Sequence, residues 1–408
     1  RAPRSVRHRA RFAIERAGRD SLWDLNEPFA RRETPVRYFG ICSVSSTGTE
    51  TNDIMQPVAL PTIRGRGASW NPPNRFERLH VDRSGWHDPD DPTPETMLYE
   101  DATRTILAKN DSPDVGFSVG LNPYRGCSHG CSYCYARPMH EYLGYSAGLD
   151  FETRILVKRK APDLLRDELS SRRWTPQVIG VSGATDAYQP AERRLRITRR
   201  CLEVLAEFRN PVAIVTKSYL VTRDIDLLQE LARHRAIAVV LSVTSLSNGV
   251  HRTMEPRASS PGRRLGAIKV LAEAGIPVGV NVAPVVPGLT DHEMPEILKA
   301  SADAGATFAS YIVLRLPHGV KDISADGLGR HFPDRKEKVL NRVREMRGGK
   351  LYDGDFAVRG RGSGPWADQL RALFKVHREK YGLTHPPELS TEGFRVPAPE
   401  PGPQMELF

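Results

Sequence analysis

Three of the five cysteines in this chain of 408 residues fall within eight positions, in RGCSHGCSYCYARP at residues 125–138. Cys127, Cys131 and Cys134 are spaced C-x3-C-x2-C, and thiolates this close together can bind a soft metal centre. A structural zinc site usually takes two ligand pairs from separate turns. Here all three sulfurs sit on one loop just after an expected strand, with His129 as the neighbour able to complete a zinc set. Cys42 and Cys201 have no partner nearby in the chain. The other chemistry is an iron–sulfur cube, which normally takes four thiolates. Three would leave one iron open to bind something else.

Such a loop must be carried by regular elements. Short β-rich runs at 116–121, 177–182, 212–217, 236–243, 278–284 and 308–314 alternate with amphipathic runs at 161–170, 192–208, 224–234, 262–274 and 291–304. Gly275 and Gly305 read as C-caps, and Thr290 as an N-cap. This alternation predicts an α/β fold, a partial (β/α)6 TIM-like barrel with a C-terminal helical extension, with its chemistry at the C-terminal strand ends. The expected organisation is an N-terminal extension over 1–54, a preceding segment over 55–113, the barrel over 114–320, a helical region over 321–385 and an unfolded Pro-rich tail over 386–408. Residues 1–54 hold ten arginines against seven acidic residues with no clear period, and Met55 is expected to be the initiator.

An apolar share of 39% suffices for a core, while the longest apolar run, near 236–243, falls far short of a membrane span. Few, clustered cysteines exclude a disulfide framework and place the chain in a reducing compartment, the cytoplasm. A net charge of +10 suits a polyanionic partner.

The C-x3-C-x2-C spacing, with Tyr133 before the last cysteine and β/α units behind it, resembles the signature of the radical S-adenosylmethionine superfamily. The resemblance implies a [4Fe-4S] cluster on Cys127, Cys131 and Cys134. Its open iron chelates S-adenosylmethionine, and one electron then yields a 5′-deoxyadenosyl radical. It further implies that later strand ends hold this cofactor. In GVSGATDAYQPAE, Ser182, Gly183, Thr185 and Asp186 stand where the superfamily receives the amino group. Lys217 would meet the carboxylate, and Ser242 and Thr244 the ribose or carboxylate oxygens. Asn281, Pro284 and Gly288 would support the adenine, with Tyr311 and Ile312 beside it or in the core. Arg257 and Arg264 are candidates for a cofactor carboxylate or a substrate phosphate.

Within the superfamily, the blocks NPYRGCSHGCSYCYARP, TDAYQPAE, VTKS, MEPR, RRLGAIKVLAEAGIPVGVNVAPVVPGLTD and GRGASWNPPNRF are similar to the spore photoproduct lyase-like group, over roughly residues 65–385. That implies a lyase acting on damaged DNA, in which a protein cysteine returns a hydrogen atom. After Cys134, however, the next cysteine is Cys201, on an expected helix, so Tyr188 or another donor would have to serve. Radical modification of RNA, a protein or a small molecule is the alternative, and a cluster that only senses redox state or stabilises the fold is a third reading. The terminal QMELF resembles sliding-clamp peptides through Gln404, Met405, Leu407 and Phe408. An external electron donor such as flavodoxin or ferredoxin is also implied.

Overall fold

The computed structural model describes residues 63–77, 93–181 and 183–398. The expectations for Met55 and the residues before it, for Cys42, for Ser182 and for Gln404, Met405, Leu407 and Phe408 lie outside the described residues. The strands are β1 (Met97–Glu100), β2 (Leu107–Lys109), β3 (Val119–Leu121), β4 (Tyr124–Arg125), β5 (Arg154–Val157), β6 (Ile179–Val181), β7 (Val212–Thr216), β8 (Ile237–Ser242), β9 (Val278–Val285) and β10 (Phe308–Val313).

Six of these strands, β3, β6, β7, β8, β9 and β10, pair in chain order and all in parallel. Their runs, VAIVT, IAVVLS and VGVNVAPV among them, are rich in β-branched residues and largely buried on both faces, as strands covered by crossover helices must be. β2 adds an antiparallel strand outside β3. It and β10 are the outermost strands and do not pair with each other, so the barrel stays open there, and the outer edge of β10 is met instead by residues 383–385 and Gly360. Two aromatic rings lie over strand glycines. A Cβ on Gly180 would come within 2.4 Å of the Phe117 ring, and one on Gly279 within 2.4 Å of the Phe308 ring.

The helices at Ala161–Ser170, Ile225–Arg233, Pro261–Glu273 and Met294–Asp303 match the expected runs closely. Gly275 and Gly305 end two of them in left-handed conformations, with φ of 73° and 98°. Thr290 instead turns its hydroxyl to the Val286 N–H. The run at 192–208 is two helices, Glu192–Leu195 and Ile197–Phe208. Arg196 breaks it with a φ of 52°, because the Glu192 carboxylate accepts the Thr198 and Arg199 N–H groups and caps the second helix.

The C-terminal extension is the helices Val320–His331, Pro333–Glu345 and Pro365–Lys380. The glycine-rich loop before the last of them meets the open edge of the barrel, where the Val313 N–H donates to the Gly360 carbonyl. Residues 386–398, expected to be unfolded, lie against the barrel instead. Ser390 N–H bonds to the Arg235 carbonyl, Arg395 N–H to the Phe208 carbonyl, and the Phe394 ring packs 6.2 Å from that of Phe208. One aromatic anchor, Phe394, and paired backbone groups offset the ordering of a Pro-rich segment. Among the described residues no helix is long and apolar enough to cross a membrane.

Candidate active site

β1, β5 and β4 form a second, small sheet, and β4 leads straight into the cysteine loop. Gly126 and Gly130 turn that loop with φ of 78° and 70°, conformations that favour glycine. The loop is held from three sides. The Cys127 N–H donates to the Phe151 carbonyl at 2.9 Å, and the Ser132 N–H to the Met254 carbonyl at 3.0 Å. Gln189, fully buried after β6, accepts the Ser128 N–H at 3.0 Å and donates to the Gly126 carbonyl at 3.1 Å. Arg137, also fully buried, donates Nε to the Cys131 carbonyl at 2.9 Å and pairs with Glu152 at 2.5 Å. Glu152 in turn accepts the Gly67 and Ala68 N–H groups, strapping the N-terminal segment across the loop.

The three thiols open onto one cavity of about 250 Å³ at the C-terminal ends of the parallel strands. Tyr133 and Tyr135 line it from the cysteine loop, Gly183, Thr185 and Asp186 from the end of β6, and Lys217 from the end of β7. Ser242, Asn281 and Pro284 follow from β8 and β9, then Ile312 and Arg315 from β10, while Val115 and Phe117 form a roof.

The polar groups are arranged around Glu255, a carboxylate almost without solvent access. It accepts Arg264 Nη2, the Tyr133 hydroxyl and the Thr244 hydroxyl, and Lys217 Nζ lies 3.4 Å away. Burial would raise its pKa, but the Arg264 and Lys217 charges outweigh that and hold it well below the usual carboxylate range. Tyr133 is pushed the other way, by burial first and by the Glu255 charge second. Lys217 donates to the Ala283 carbonyl at 2.7 Å, which aims its ammonium along the cavity wall. Opposite, His129 Nδ1 stands 3.4 Å from Asp186 Oδ2, and the Asp186 carboxylate also accepts the Thr216 hydroxyl and the Lys217 N–H.

Many of the expected site residues therefore meet in one place, with several corrections. Thr244 is buried behind the wall, its hydroxyl taken up by Glu255 and the Ala283 carbonyl, because β8 ends at Ser242 and the chain turns away. Tyr311 points to the far side of the sheet and packs 4.7 Å from Phe374, while Ile312 faces the cavity. Arg264 does not face the cavity but pairs with Glu255, and Arg257 reaches out to Thr96. Thr185 spends its hydroxyl on the Gly126 carbonyl at 2.6 Å. Cys201 is fully buried and Tyr188 is tied to Asp224, and neither lines the cavity. Sequence reasoning missed Gln189, Arg137, Glu152, Glu255 and Arg315. Gln189 and Glu255 lie within the blocks TDAYQPAE and MEPR, which were the signals available.

The donor set suits a cluster and a zwitterionic cofactor. The three thiols line one cavity, and the loop that carries them offers three cysteines where a cube takes four ligands. Asn281 Oδ1 is buried without a hydrogen-bond partner, an acceptor awaiting a donor from a ligand. Gly183, at φ 118°, leaves open space where a Cβ would stand.

Residues 121–300 match the family model described as the Radical SAM superfamily. An uncharacterized protein of Mycobacterium tuberculosis (strain ATCC 25618 / H37Rv) is 35% identical over 232 residues, which are 56% of this chain and 67% of that protein. An uncharacterized protein of Methanocaldococcus jannaschii is 32% identical over 184 residues, 45% of this chain and 66% of that one. Among solved structures, spore photoproduct lyase complexed with dinucleoside spore photoproduct is similar at a TM-score of 0.49 and 18% identity, covering 70% of this chain and 79% of that one.

Proposed function

Because the chain belongs to the radical S-adenosylmethionine superfamily, whose members use a [4Fe-4S] cluster and S-adenosylmethionine, we propose that it is a radical lyase acting on damaged DNA. When bound, the two groups together supply a 5′-deoxyadenosyl radical that takes a hydrogen atom from a substrate carbon.

In this reading Cys127, Cys131 and Cys134 hold the cluster, and the strand ends hold the cofactor. The Lys217 ammonium faces the methionine carboxylate, which meets the one positive charge left over when Lys217 and Arg264 share Glu255. Asn281 Oδ1 accepts a hydrogen bond from the ammonium or a ribose hydroxyl, with Ser242 beside it. Gly183 lets the cofactor approach the backbone, and Pro284 and Ile312 give the adenine an apolar wall that excludes water. Tyr133 closes the inner end of the cavity.

The observation that carries the radical chemistry is the opening of three thiols, Lys217 and an unpartnered Asn281 oxygen onto one cavity. The DNA substrate is supported by the sequence blocks and by the net charge of +10. Flavodoxin or ferredoxin would deliver the electron, the reducing cytoplasm would be its setting, and Gln404, Met405, Leu407 and Phe408 would dock on a sliding clamp.

One observation favours a second reading, in which RNA, a protein or a small molecule is modified. Among the described residues the cavity holds no thiol beyond the three of the loop, so a cysteine hydrogen donor is lacking there.

The test is anaerobic: reconstitute the cluster, reduce with dithionite, add S-adenosylmethionine and follow 5′-deoxyadenosine with and without UV-irradiated DNA. Product that rises with damaged DNA is expected. A rate indifferent to DNA would overturn the substrate, and no product from cluster-loaded protein would overturn the radical enzyme.

A further inference from the structure

The charges lining the cavity do not all have counter-charges. His129 has Asp186 at 3.4 Å, and Lys217 has Glu255 at 3.4 Å. Arg315, two residues beyond β10, has no carboxylate within ion-pair distance among the described residues, and its Nε is buried with no hydrogen-bond partner. Asp114 feels the Arg315 charge but forms its ion pair with Arg359, whose Nε reaches it at 2.6 Å. A half-buried guanidinium in a mostly apolar wall is costly to leave uncompensated, so an anion brought into this cavity gains there what water has lost.

The surroundings narrow the anion. The Arg315 guanidinium lies 4.8 Å from the Tyr135 ring centre, and Tyr135 is 41% exposed although it lines the cavity. Phe117 faces the same space from the roof. Stacking on one face leaves the edge of the guanidinium fork free, the geometry that receives two phosphate oxygens at once. A phosphate holder beside a partly exposed aromatic ring is an arrangement that accepts a nucleotide, with the base along the ring. The cofactor's own carboxylate is already assigned to Lys217, whose ammonium is held near the end of β9 by the Ala283 carbonyl.

We propose that Arg315 binds a phosphate of the substrate, the one adjoining the nucleotide presented to the cavity, with Tyr135 and Phe117 beside its base. This rests on the nucleic-acid reading above and assigns a residue and a chemical group to it.

The experiment compares wild-type protein, reconstituted with its cluster, with Arg315→Met and Arg315→Lys. Three quantities are read: anisotropy of a fluorescein-labelled oligothymidylate against salt, thermal stabilisation by inorganic pyrophosphate, and S-adenosylmethionine affinity from the EPR signal of the reduced cluster. Arg315→Met is expected to weaken oligothymidylate binding by about tenfold and to lower its salt slope by about one, with Arg315→Lys recovering part of the loss. Unchanged binding in Arg315→Met would overturn the assignment while leaving the nucleic-acid reading intact. An equal fall in S-adenosylmethionine affinity would also overturn it, since the guanidinium would then serve the cofactor carboxylate. If wild-type protein ignores the oligonucleotide, the nucleic-acid reading fails. Pyrophosphate stabilisation lost in Arg315→Met would then still support a phosphate site for another substrate, whereas stabilisation by succinate alone, or by neither, would overturn it.

Discussion

Gly67 and Gly130 meet backbone to backbone: a Cβ on residue 67 would lie 1.7 Å from the Gly130 carbonyl oxygen. The N-terminal strap thus presses directly on the middle of the cysteine loop, and no side-chain rearrangement can relieve a methyl there. Gly67→Ala is expected to cut iron incorporation on reconstitution several-fold, measured as iron per chain. Gly262→Ala, where a Cβ meets nothing within 4 Å in a helix's first turn, is the control and should load iron normally.

The ion pair between Arg137 and Glu152 has no solvent access on either side. Removing one partner leaves a buried charge alone, so Glu152→Gln or Arg137→Met should each lower unfolding stability by about 3–5 kcal/mol in urea titrations. The double variant should lose less than the sum, because each single change already removes the pairing.

Lys217 is expected to act on the cofactor and not on the cluster. Lys217→Met should raise the S-adenosylmethionine dissociation constant by about tenfold, as loss of a charged hydrogen bond does, while iron content stays at the wild-type level. Calorimetry on the anaerobic protein checks the first and iron analysis the second.

His140 gives the fold a pH dependence that can be measured. It is buried between Tyr145 and Phe151, its Nε2 has no partner, and burial lowers its pKa to about 4. The unfolded chain takes up a proton below about pH 6.5 and the folded chain does not, so stability is full above that pH and falls as pH drops towards 4. Between about pH 7.5 and pH 5 the wild type should lose about 2 kcal/mol more than His140→Phe, read from urea midpoints.

Much of this was legible in the chain because it rests on local patterns. The β-branched runs announced β7, β8 and β9, and the cysteine spacing announced the loop. What was not legible depends on residues far apart. Thr244 was expected by period two to share a face with Ser242, but β8 ends at Ser242 and the Thr244 hydroxyl turns to Glu255, eleven residues later. Tyr311 and Ile312 were both expected beside the adenine or in the core; Ile312 lines the cavity and Tyr311 packs on the other face, next to an irregularity in pairing between Tyr311 and Val313. Arg315 carried no signal at all: one arginine among many, it is singled out by having no carboxylate partner among the described residues, which only three dimensions reveal.

The ring of Phe117 rests where a side chain at Gly180 would be, and the same ring is part of the cavity roof. The dimensions of the reaction chamber are therefore gauged from the strand behind it. Even a methyl group at position 180 would drive the ring out of its seat and redraw the ceiling under which a substrate must fit. The shape of the cavity is thus set in part by a residue that does not line it.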